Sequence, residues 1–123
     1  MARPEIKALD RALAKDGETV TLRRRVGTGS VFIEVQCRAR LAGYRAENII
    51  GVVKVTDSQF IMSPTQIAAA VAAGTWPGAA GGDIWPKIGD FIRQAGGIDR
   101  RIEQTKPVTV GDEVVRIDGR ILG

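Results

Sequence analysis

The chain has no histidine, and Cys37 is its single cysteine among 123 residues. That removes the Ser-His-Asp and Cys-His nucleophiles and the common zinc ligand sets. The carboxylates at Asp57, Asp83, Asp90, Asp99, Asp112 and Asp118 are scattered and sit mostly at turns. No spacing pairs them for acid–base work. Gly89-Asp90 and Gly111-Asp112 read as turns, where an aspartate hydrogen-bonds nearby backbone. Gly27-Thr28-Gly29-Ser30 has the composition of a phosphate loop but lacks its Gly-Lys-Ser/Thr ending and a following helix. Cys37 falls on the apolar face of an alternating run, as a small core residue would. The expectation is a protein without catalysis, cofactor or metal, whose work is contact.

Eighteen basic against fourteen acidic residues leave a net charge of +4. The excess is mild, and Arg23-Arg24-Arg25 is its tightest cluster, followed by Arg38, Arg40 and Arg45. A solvated strand end or a subunit contact explains that run better than nucleic-acid reading, which favours denser clustering. Hydrophobic residues make up 44% and aromatics only 5%, so a core must rest on Val, Ile, Leu and Ala. The length fits one domain, residues 1–123. One cysteine allows no internal disulfide. No stretch approaches the roughly 20 apolar residues of a membrane span, and the charged N-terminus is no secretory signal. The chain is expected to stay in the cytoplasm, or in something assembled there.

These residues need elements to hold them. Residues 3–16 read as an amphipathic helix with Ile6, Leu9 and Leu13 on one face, Pro4 in its first turn and a left-handed Gly17 closing it. Such a helix is marginal alone. It lies either on its own barrel or on a neighbouring subunit. Glu18 to Arg25 reads as a strand with Val20 and Leu22 inward and Thr19, Thr21 and Arg23 outward. From Val31 to Leu41 apolar and polar residues alternate, the mark of a half-buried strand. Residues 42–51 break the pattern with Tyr44, Arg45, Ile49 and Ile50, an ordered excursion or an arm that orders on a partner.

Strand character resumes from Val52 to Met62, with a bend at Thr56-Asp57-Ser58. Ser63-Pro64-Thr65-Gln66 starts a short helix: Ser63 caps, Pro64 takes the first helical position and Gln66 completes a capping box. Gly74 stops it. Thr75 to Trp85 is a Gly- and Ala-rich loop carrying Trp76 and Trp85, which either cover the barrel end or anchor an interface. The last third holds three apolar runs, Pro86–Arg93, Ile98–Thr105 and Glu113–Asp118, with Lys106 to Asp112 as a connector. Phe91, Ile102, Val115 and Ile117 are its expected core. The fold class is mainly β: a small barrel or sandwich of about six to seven strands over 18–121, with an N-terminal helix, one short inserted helix, and excursions at 42–51 and 64–86.

The order of these elements, with the Ser-Pro-Thr-Gln-Ile helix start after Phe60-Ile61-Met62 and with Pro-x-x-Gly-Asp at Pro86–Asp90, resembles the head–tail joining proteins of long-tailed bacteriophages. These are the stopper, head-closure or neck proteins. The resemblance runs from about Leu9 to the end. It implies a virion protein, assembled in the host cytoplasm, forming a homo-oligomeric ring of six or twelve copies. The portal or adaptor would sit above, and a tail terminator or tail protein below. Packaged DNA would pass nearby without sequence-specific contact, and no membrane or catalysis is implied. Tyr44, Arg45, Ile49, Ile50, Trp76, Trp85, Ile6, Leu9 and Leu13 are then candidate subunit or channel contacts. Arg23, Arg24, Arg25, Arg38 and Arg40 are candidate DNA-proximal cations, binding phosphate without reading bases. Replacing Trp76 or truncating 42–51 is expected to spare folding and impair assembly. A tail terminator and a free-standing nucleic-acid-binding barrel are the alternatives.

Overall fold

The computed structural model describes residues 3–43 and 57–123. Its elements are α1 (Pro4–Asp16), β1 (Glu18–Arg25), β2 (Phe32–Gly43), β3 (Ser58–Met62), α2 (Thr65–Ala72), β4 (Phe91–Gln94), β5 (Asp99–Val110) and β6 (Glu113–Ile121). All strand pairs are antiparallel, and they close a barrel in the order β1-β2-β3-β6-β5-β4. The mainly β architecture with two helices is the one the sequence implies. Residues 44–56, with Tyr44, Arg45, Ile49, Ile50 and the start of the Val52–Met62 run, lie outside the described residues.

Period-two alternation builds the interior. Val20 and Leu22 from β1, Val35, Cys37 and Ala39 from β2, and Phe60 and Met62 from β3 all point inward and are buried. Ile92, Ile102, Ile117 and Ile121 complete the wall. With so few aromatics, Phe60 has to fill the middle. Gly119 makes room for it: a Cβ there would stand 2.4 Å from the Phe60 ring and 2.2 Å from the Gln104 carbonyl oxygen.

Two features of the last third differ from the sequence expectation. Lys106–Asp112 is not a connector: β5 runs on to Val110, and Gly111-Asp112 alone turns into β6. Pro107 is tolerated because β5 meets β4 only from Asp99 to Arg101 and borders one strand beyond it. Phe91 is not core. Ile92 is the inward residue of β4, so Phe91 stands on the outer face, edge-to-face with Phe32 at 5.9 Å.

The helices also depart in detail. Gly17 ends α1 in an extended conformation, φ −99°, not a left-handed one. Its smallness matters for approach, since a Cβ would meet the carbonyl oxygens of Leu13 and Ala39 at 2.7 and 2.9 Å. At α2 the Ser63 hydroxyl accepts from the Thr65 N–H at 3.1 Å, but Gln66 closes no capping box. Its side chain accepts instead from the Arg38 backbone N–H. Pro64 sits at the N-cap, one position earlier than expected. Gly74, at φ +76°, terminates the helix as its sequence position implies. Among the described residues no helix is long and apolar enough to cross a membrane.

Candidate interaction site

The strand register defines two ends of the barrel. One, here the upper end, carries the β1–β2 turn, the loop before β4, the start of β6 and α2. The lower end carries the β4–β5 turn, Gly43, Asp57 and Gly123.

At the upper end the inward alternation of β1 continues past Val20 and Leu22 to Arg24, which is only 2% exposed. Its guanidinium grips Asp90, itself 1% exposed, with Nε and Nη2 at 2.8–3.2 Å from the carboxylate. It also donates to the carbonyls of Gly81, Asp83 and Trp85. The Trp76 ring lies over it at 4.7 Å, and the Trp76 indole N–H donates to the Ile84 carbonyl at 2.7 Å. Three backbone acceptors of a stretch with little regular structure are thus satisfied by one buried cation. Asp90 accepts the Lys87 N–H as well, the local turn bond its position suggests.

Arg24 is therefore not a DNA-proximal surface charge, and Trp76 is not an interface anchor. Both are interior groups, sequestered because the excursion folds back over the barrel mouth. The loop from Thr75 to Trp85 is a built lid of the core, with one 3-10 turn at Gly78–Ala80 and a cis Trp76–Pro77 peptide. The signal for Arg24 was present in the sequence, since its parity matches Val20 and Leu22.

The remaining cations do not form one patch. Arg23 is held by Glu34 and Asp99 and stacks on Phe32 at 4.1 Å. Arg25 is exposed, stacks on the same ring at 5.0 Å and donates to the Gly29 carbonyl. Arg38 reaches down to the Leu13 carbonyl, capping the end of α1, and to the Thr19 hydroxyl. Arg40 is exposed beside Leu9, Leu13 and Asp16.

α1 lies on its own barrel. Ile6 and Leu13 are buried, and Leu9 is half-buried. Asp10 fixes the helix to the start of α2 by accepting from the Ser63 and Thr65 hydroxyls. Between the two helix starts a mostly apolar groove of about 320 Å³ stays open. Ile6, Pro64, Ala68, Trp85 and Val114 line it, with Thr65 and Glu113 beside them. Trp85 and Ile6, far apart in the chain, come together here. Leu13 and Trp76 do not join them.

Cys37 is buried and its thiol is pushed up from 9.0 to about 12 by desolvation, so it is a core side chain and no nucleophile. Among the described residues no cluster of three His, Cys, Asp or Glu could hold a metal ion. Comparison of the chain with protein-family models, with curated proteins and with solved structures gives no match.

Proposed function

We propose that this chain is a structural protein of a bacteriophage neck. It forms a ring between portal or adaptor and tail, closes the DNA-filled head and offers the tail a docking surface. The observation that carries the reading is the open apolar groove of Ile6, Ala68, Trp85 and Val114 on a closed barrel. An exposed apolar recess on a small chain marks a contact surface. The order of helix, barrel and inserted helix also follows the pattern on which the resemblance to neck proteins rests. The role is taken as non-catalytic, the ring as six or twelve copies, and the place of action as the virion. Of the five arginines expected near DNA, Arg25 and Arg40 are the exposed ones.

One observation favours a nucleic-acid-binding barrel instead: Phe32 and Phe91 form an outer aromatic pair beside Arg25. Stacking a base there is worth about 1–3 kcal/mol. The Phe32 ring, however, already carries Arg23 and Arg25, and Glu34 and Asp99 neutralise Arg23. The neck reading is the stronger.

Electron microscopy of particles from cells lacking this protein tests it. Filled or leaking heads without tails are the expected result, and normally tailed particles overturn it.

A further inference from the structure

We propose that β5 presents an unpaired strand edge from Gln104 to Val110, and that Pro107 guards it against pairing with the β5 of a second copy. This goes beyond the neck reading and does not depend on it. β5 meets β4 only from Asp99 to Arg101, and the backbone of Gly89 and Asp90 carries the contact one residue further, to Ile102. Beyond Ile102, β5 pairs with β6 on one side and, among the described residues, with no strand on the other. Gln104, Lys106, Pro107 and Thr109 are exposed along it.

The register fixes the direction in which Pro107 faces. The Ile102 N–H donates to the Asp90 carbonyl and the Ile102 carbonyl accepts from the Gly89 N–H, so its backbone polar groups point away from β6. Ile102 lies opposite Ile121, and Pro107 lies opposite Ile117, an even number of residues back along β6. Ladder pairs alternate along a strand, so Ile117 meets β5 in the same way as Ile121 does. Pro107 therefore also turns its backbone outward, and the shift in register between Ile102 and Gln104 absorbs the odd residue on β5. Thr105 and Thr109, two residues to either side, share that outward orientation. A strand added here needs N–H groups at all three positions and finds none at Pro107.

In other respects the edge suits pairing. Thr105, Val108, Thr109 and Val110 are β-branched, as strands favour. The edge is also self-complementary, which is why a second copy is the occupant to exclude. Antiparallel pairing of two β5 strands about Pro107 sets Thr105 of each copy against Thr109 of the other, and each such outward-facing pair exchanges its two hydrogen bonds. At the centre two prolines meet, exchange none, and hold the strands apart with their rings. A slip of one residue sets Lys106 against the same lysine of the other copy, where like charges repel. A bare β edge invites association, and proline and lysine are the residues that blunt one.

Pro107→Thr supplies the missing N–H and tests the guard. Amide hydrogen exchange at Thr105 and Thr109 is followed as the chain is concentrated from micromolar to millimolar, alongside sedimentation. In the natural chain both amides exchange freely at every concentration. In Pro107→Thr they slow by roughly tenfold on concentration, and a two-fold dimer sediments. The double variant Pro107→Thr with Thr109→Pro moves the proline along the same outward-facing row and returns Thr105 to free exchange. Amides already protected in the natural chain overturn the proposal, as does a Pro107→Thr chain that exchanges like the natural one. Association or precipitation of Pro107→Thr that the moved proline leaves intact overturns it too. A ring built through other surfaces leaves these two amides unchanged, so the neck reading stands or falls on its own test.

Discussion

Each end of the barrel holds a buried arginine–aspartate pair, and the two do different things. At the upper end Arg24 binds Asp90 and three loop carbonyls beneath Trp76. At the lower end Arg120 donates to Asp57 at 2.9 Å, and Asp57 accepts the Gly123 N–H at 2.9 Å. The Arg120 Nε is buried without a hydrogen-bond partner among the described residues. A buried ion pair is by itself weak evidence of stability, because desolvation offsets attraction. What differs is the backbone each cation serves. Arg24 organises a stretch that has no ladder to satisfy it, whereas Arg120 fastens two chain segments already adjoining the sheet.

The largest effect should come from breaking the upper pair. Arg24→Met leaves Asp90 buried with the Lys87 N–H, and three carbonyls lose their donor. A loss of about 3–5 kcal/mol is expected, read from urea midpoints. The charge-free pair Arg24→Met with Asp90→Leu should recover only part of it, because the carbonyls of Gly81, Asp83 and Trp85 stay unserved, each at about 1–3 kcal/mol where buried. Full recovery would show that the cation does not order the loop.

The lower pair should cost less. Arg120→Met leaves Asp57 with the Gly123 N–H among its remaining partners, and a loss of about 2–3 kcal/mol is expected. Here the double change with Asp57→Leu should recover more of the loss, since among the described residues no loop carbonyl accepts from the arginine. Equal behaviour of the two double variants would erase the distinction between the ends.

The two ends were unequally legible in the sequence. Alternation along β1 and β2 places the barrel wall from Val20 and Leu22 to Val35, Cys37 and Ala39 because period two is a local property of the chain, although Val31, expected on the same face, is exposed ahead of β2. The same period carried one step further puts Arg24 inward. A triple-arginine run nonetheless reads as solvated, because the partner that makes burial tolerable, Asp90, is 66 residues away. Phe91 misled for a related reason: in a four-residue strand the inward parity depends on pairing with β1, where Ile92 faces Leu22. The groove was half visible. Ile6 and Trp85 were each candidate contact residues in the sequence, but only closure of the barrel brings them to one groove, and Trp76 resembles Trp85 in composition while lying in the core. The Asp57–Arg120 pair had no sequence signal beyond a turn-like aspartate.

Trp76 sharpens the comparison at a smaller scale. Trp76→Phe keeps an aromatic face over Arg24 but removes the donor to the Ile84 carbonyl. A loss of about 1–2 kcal/mol is expected, one hydrogen bond and some packing. The wild-type-like stability expected of an interface tryptophan would instead mean that the lid is not held from above.

Cys37 provides the smallest effect and a probe of both ends. It lies opposite Val20 in the wall, and burial pushes its thiol from 9.0 to about 12. Between those values the unfolded chain has released its proton while the folded chain keeps it. The unfolded state then binds fewer protons, so stability falls as pH rises through this window, by up to about 1.4 kcal/mol per pH unit. Below pH 9 the contribution is complete and flat. Urea midpoints at pH 8 and pH 10 should therefore diverge more for the natural chain than for Cys37→Ala; parallel curves would mean that the thiol ionises in place. Because only the thiolate reacts, alkylation of the native chain should be slow and should track opening of the barrel. If the upper lid guards the core more than the lower pair does, Arg24→Met will speed labelling more than Arg120→Met, even after both are compared at matched global stability.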